Sequence, residues 1–249
     1  MELFDNSFVK EFMINDKSYK TRQCKYLSNF NIIKHNVVCI IVVGLNENPF
    51  VDVWIKIYFD TLCKLNYGVI IINPHWKKLD NNEDDVNSIH YQLQLNNIFE
   101  ELFKTCKLEK INLTINFISF SQGGCQTIYF MLKSPIIHNI IHNCNTYMNI
   151  NKIILLDPYP PDDNIYEIQC PYLKNNILSM KCISKIMDRT LIFTVDGKSP
   201  YEIERLPIGK WTAEILKIDV AKLNNFIQID NINHSDIPLN VLNYIIKIL

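Results

Sequence analysis

The chain reads as an α/β fold: a mostly parallel sheet with helices on both faces and an antiparallel hairpin at its N-terminus. Three observations predict this. Apolar β-branched runs such as NVVCIIVVG (36–44) are continuous instead of alternating, as in strands covered on both faces. These runs take turns with stretches of helical spacing, the order of a doubly wound sheet with crossover connections. The 249 residues, 48% of them hydrophobic, suit one domain over 1–249 with a sizeable core.

Each element follows from its own pattern. SFVKEFMIND and KSYKTRQCKYL alternate and are joined by Asn15-Asp16, a turn-forming pair, which predicts the hairpin. After the 36–44 strand, FVDVWIKIYFDTLCKL (50–65) puts Val51, Trp54, Ile55, Tyr58, Phe59 and Leu62 on one helical face. YGVIIINP (67–74) is a second buried strand. Asp84 to Leu108 is a long helix with acids at its start. INLTINFISF (111–120) is a third strand, and QGGCQTIYFMLKS (122–134) a helix closed by Pro135. Strands follow at 151–158, 188–197 and 224–230, with helices at roughly 207–223 and 237–249. Active sites of such sheets lie beyond the carboxyl ends of the strands.

Composition narrows the function classes. With 25 basic and 26 acidic side chains and a formal net charge of −1, no basic stripe points to nucleic acid. No stretch approaches the ~18 apolar residues of a membrane span. The start MELFDNSFVKEF lacks a secretory pattern, so a cytoplasmic location is expected. The eight cysteines are scattered, none in C-x-x-C, and read as reduced thiols. His138 and His142 share a helical face, but no acidic residue stands at metal spacing beside them. No metal or organic cofactor is expected.

The chemistry concentrates at Ser119-Phe120-Ser121-Gln122-Gly123. A serine between small residues, after a strand and before a helix, is the pattern of a nucleophile elbow. The small flanks allow a tight turn that lifts the hydroxyl clear of the sheet. Ser119 stands where the pattern has its first glycine. Gly123 and Gly124 are two of only six glycines in the chain.

SFSQGG resembles the nucleophile motif of α/β-hydrolase carboxylesterases, thioesterases and lipases, and the element order from about residue 36 onward is similar to that fold. The resemblance implies the order Ser, acid, His. His234, in DNINHSDIP just before the final helix, stands where the family has its base. Two aspartates at strand ends compete for the acid. Asp157 ends KIILLDPYPP and resembles the Leu-Asp-Pro segment of pancreatic-type lipases; Asp196 ends TLIFTVDGKSP, nearer the usual family position. Asp157 is preferred, with Asp196 kept open. The resemblance also implies an oxyanion hole from the backbone amides of Gln122 and Leu45, with Asn46 as neighbour and Val43 in place of the family's histidine.

Two segments could cover the site: 134–150 and 158–188. The second would bring Tyr159, Ile165, Tyr166, Tyr172, Leu173 and Ile177; Trp76 lies near the same cleft. The expected reaction is hydrolysis of a small-molecule carboxylic ester or thioester, uncharged or lipid-like, through an acyl-enzyme on Ser121. The alternatives are acyl transfer by the same residues, and a non-catalytic relative that binds a ligand or a protein.

Overall fold

The computed structural model describes residues 4–16, 19–44, 47, 51–72, 86–142, 147–158, 180–195 and 225–249. Eight strands form one sheet: β1 (Val9–Asp16), β2 (Tyr19–Ser28), β3 (Val37–Val42), β4 (Gly68–Ile72), β5 (Leu113–Phe120), β6 (Met148–Leu156), β7 (Thr190–Val195) and β8 (Phe226–Ile229). Their order across the sheet is β1-β2-β4-β3-β5-β6-β7-β8. The β1–β2 and β2–β4 pairs are antiparallel, and every later pair is parallel.

Among the described residues six α-helices cover the sheet: α1 (Val53–Lys64), α2 (Val86–Glu109), α3 (Gln122–Lys133), α4 (Pro135–His142), α5 (Met180–Met187) and α6 (Ile237–Ile248). Strand β3 shows why continuous apolar runs are needed. Val38, Ile40 and Val42 point into one core with Leu95, Phe99 and Leu102 of α2. Cys39, Ile41 and Val43 point into a second core, with Ile55, Tyr58 and Leu62 of α1 and Val241 and Ile245 of α6. Successive side chains thus serve opposite helix layers, so no position in the strand tolerates water.

Several boundaries depart from the sequence reading. Asp16 still pairs with Tyr19, so the hairpin reverses beyond Asn15-Asp16 instead of at it. Val51 lies ahead of α1 and is exposed, because the helix begins only at Val53. Strand β6 starts at Met148, and Asn151 bulges out of its ladder with β5, where its amide donates to the Asn116 side chain at 3.0 Å. Pro135 opens α4 as well as closing α3. The expected helix at 207–223 lies outside the described residues.

The described part of the 134–150 segment is not a cover over the site. Helix α4 begins at the end of α3 remote from Ser121, and Ile137 and Ile140 are buried in the α2-side core. Met148 to Ile150 already belong to β6. Of the second segment, Met180–Met187 form α5, and 159–179 lie outside the described residues.

Candidate active site

Strand β5 runs between β3 and β6, and its last pairs set Ser119 opposite Val42 and Leu155. The strand stops at Phe120, and α3 begins at Gln122. Ser121 makes the turn alone, at φ 52° and ψ −128°. A non-glycine residue held there costs about 1–3 kcal/mol and persists only where its surroundings enforce it. Here the Ser121 N–H donates to the Leu156 carbonyl at 2.9 Å, and the Ser121 carbonyl accepts from the Gly124 N–H at 2.9 Å.

The two glycines are required by contact. A Cβ on Gly123 would lie 2.4 Å from the carbonyl oxygens of both Val42 and Val43. One on Gly124 would lie 2.8 Å from Pro158 Cβ. The start of α3 is therefore wedged between the end of β3 and the residue after Asp157. Ser119, fully buried, does not crowd the turn. Its hydroxyl donates to Thr127 Oγ1 at 2.8 Å, and the Thr127 hydroxyl donates onward to the Gly123 carbonyl at 2.9 Å.

Asp157 directly follows β6 at φ 39°, its N–H donating to the Phe193 carbonyl at 2.7 Å. Its side chain is 1% exposed. Oδ1 accepts from the Thr194 hydroxyl at 3.0 Å, and Oδ2 lies 2.5 Å from His234 Nδ1. His234 opens the short 3-10 turn His234–Asp236 between β8 and α6. Its ring stacks on Phe120, with centroids 4.7 Å apart and planes at 26°. Nδ1 is thus committed to the carboxylate, which leaves Nε2 as the nitrogen free to accept a proton. Asp157, one of the two candidate acids, is brought to His234; Asp196 lies outside the described residues. Phe120, whose ring stacks on His234, is the chain neighbour of Ser121.

The end of β3 runs along the other side of the nucleophile. A Cβ on Gly44 would lie 3.1 Å from Ser121 Cβ and 3.6 Å from its Oγ. Gln122 is the first residue of α3, a position whose N–H has no partner within its own helix. Leu45, Asn46 and Trp76 lie outside the described residues.

Three residues near the site carry no functional signal in the sequence pattern. Phe120 is one apolar residue of a strand. Thr194 is placed beside Asp157 by the parallel pairing of Leu156 with Phe193. Glu47 belongs to no pattern of its own. It is a half-buried acid whose Oε2 accepts from the Gly44 N–H at 3.1 Å and whose Oε1 accepts from Trp54 Nε1 at 2.7 Å. Burial outweighs these two hydrogen bonds and raises its carboxyl to about 7. Cys125 is a buried thiol four residues past Ser121. Burial, then the nearby Asp157 charge, push it well above the ordinary range, so it packs as a neutral thiol.

Among the described residues no group of three or more His, Cys, Asp or Glu could hold a metal ion, and no helix is long and apolar enough to cross a membrane. His138 is exposed on α4.

No protein-family model matches the sequence, and no curated protein matches it. Solved structures do. A protein from Agrobacterium vitis, inferred to be a hydrolase, superposes with a TM-score of 0.60 at 10% identity, covering 96% of this chain and 98% of its own. An esterase from Pyrococcus furiosus gives 0.56 at 13% identity, covering 99% and 92%. An α/β serine hydrolase homologue from Coxiella burnetii gives 0.50 at 12% identity, covering 96% of both chains. At such identities the likeness is one of fold.

Proposed function

The chain has the α/β-hydrolase fold, and from it we propose a serine hydrolase that cleaves a carboxylic ester or thioester through an acyl-enzyme on Ser121. The observation that carries this reading is the His234–Asp157 contact, built beside a serine held at positive φ between strand and helix. A buried aspartate aimed at an imidazole nitrogen fixes one tautomer and stabilises the imidazolium that forms during proton transfer.

In this mechanism Ser121 Oγ attacks the substrate carbonyl carbon while His234 Nε2 takes the hydroxyl proton. The carbonyl electron pair moves onto oxygen, where the amides of Gln122 and Leu45 receive it. Removing one such donor typically costs ~3 kcal/mol of transition-state stabilisation. Collapse expels the alcohol or thiol, which takes the proton from His234. Water then attacks the acyl-enzyme, His234 taking its proton as base; the bond from the acyl carbon to Ser121 Oγ breaks, His234 returns the proton to Oγ, and the free acid leaves. With a formal net charge of −1 and no cationic residue described at the site, the acyl group is proposed to be uncharged.

The test is labelling with a fluorophosphonate probe together with a panel of p-nitrophenyl esters and acyl thioesters. Wild type should label and turn over part of the panel. Ser121→Ala should lose labelling and fall by on the order of 10⁴-fold or more in turnover. Equal labelling of the two proteins, or none of either, would sink the enzyme reading and leave a non-catalytic binding domain.

A further inference from the structure

We propose that Glu47 is a positioning residue of this site, one carboxylate that holds both the backbone beside Ser121 and the ring stack behind His234. The inference rests on the serine-hydrolase reading and extends it. Glu47 grips Gly44 twice: Oε2 accepts the Gly44 N–H, and the Glu47 N–H donates to the Gly44 carbonyl at 3.3 Å. Gly44 is the residue packed against Ser121. Through Oε1 the same carboxylate fixes the Trp54 indole. Trp54 meets the Phe120 ring edge-on, centroids 5.7 Å apart at 74°, and Phe120 stacks on His234. Two short paths thus leave one side chain, one toward the nucleophile and one toward the base.

The chemistry of the fork explains why an acid stands there. Two N–H donors converge on one side chain, and an ionised carboxylate offers a charged acceptor on both oxygens. Glutamine would keep the bulk and lose one acceptor. A protonated carboxyl weakens one, because its hydroxyl oxygen is a poorer acceptor and its O–H needs a partner of its own. Burying a carboxylate is costly, and the cost is visible in the raised titration of Glu47. Among the described residues the titratable groups facing it are Asp52, ahead of α1, whose charge raises it further, and Tyr91 of α2. Tyr91 donates to the Val43 carbonyl at 2.7 Å and stays neutral, its phenol pushed up by burial and then by Glu47. The carboxyl therefore passes from the form with one weakened acceptor to the charged form as pH rises through about 7.

The experiment is the second-order rate of fluorophosphonate labelling at Ser121 from pH 5.5 to 9, for wild type and Glu47→Gln, with melting midpoints at each pH. The expected ratio, wild type over variant, is about tenfold above pH 8, the worth of one charge-assisted hydrogen bond, and shrinks to within about twofold near pH 5.5. A ratio that is constant across pH, or near one throughout, overturns the proposal; a purely structural role would give the constant ratio. Should Glu47→Gln fail to fold, Trp54→Phe decides. Loss of the indole donor, which holds the carboxyl down, should move the acid limb of labelling to higher pH, and an unmoved limb overturns the proposal. Wild type that does not label at all removes the serine-hydrolase reading itself, and this inference with it.

Discussion

Two neighbouring strands end in the same unusual way and to opposite effect. Strand β5 leaves the sheet through Ser121 at φ 52°, and β6 leaves it through Asp157 at φ 39°. Both are non-glycine residues in the left-handed region, and both sit on adjacent, parallel-paired strands. At Ser121 the steric burden passes to the glycines that follow, and the hydroxyl stays within reach of the cleft. At Asp157 the carboxylate turns inward, nearly sealed from water, and must find partners for its oxygens there. A nucleophile needs room in front of it; an orienting acid needs walls around it. The same backbone device supplies either, according to the neighbours.

Four substitutions, the first with a control, test that contrast, in falling order of effect. Asp157→Asn keeps the shape of the walled-in side chain and removes its charge. Turnover of an activated ester should drop by on the order of 10⁴-fold, while Asp196→Asn should leave it near wild type; the reverse outcome moves the acid to the other strand end. Gly123→Ala fills the room behind the nucleophile. With two carbonyl oxygens 2.4 Å from the new Cβ, overpacking of about 1–3 kcal/mol should appear as a lower urea midpoint together with weakened probe labelling. Thr194→Val opens one wall by deleting the donor to Asp157 Oδ1. Hydrogen bonds to charged groups are worth about 1.5–3 kcal/mol, so stability should fall within that range and the pH dependence of turnover should shift. Ser119→Ala deletes the head of the Ser119–Thr127–Gly123 chain. It should cost about 1 kcal/mol in denaturant unfolding and change labelling little, since Thr127 keeps its own bond to the turn.

The contrast also marks what a sequence can reveal. Ser121 was legible because everything that makes it a nucleophile candidate is local: a buried run, a turn, two glycines and a helix. His234 was legible from its place before the last helix. The choice of Asp157 over Asp196 was not settled by pattern, because what distinguishes Asp157 is contact with a histidine 77 positions away. Thr194 and Glu47 escaped for the same reason. Each is an ordinary polar residue until a parallel register, or an indole seven residues on, closes around it. Strand interiors were readable because burial on both faces forces apolar residues at every step. Strand ends were not: Asp16 pairs with Tyr19, and the exposed Asn149 pairs with Thr114, so polar residues stand inside the ladders where backbone pairing does not need an apolar side chain.

Strand β8 has a consequence for heat. It is four residues long, lies at the margin of the sheet and alternates exposed with half-buried positions, whereas β5 is clasped on both sides by other strands. Elements with few buried contacts open first on warming. His234 follows that margin strand by a short connection, and Ser121 directly follows a strand paired on both sides. Warming should therefore silence the protein before it unfolds it, and cooling should restore the base to a serine that never moved.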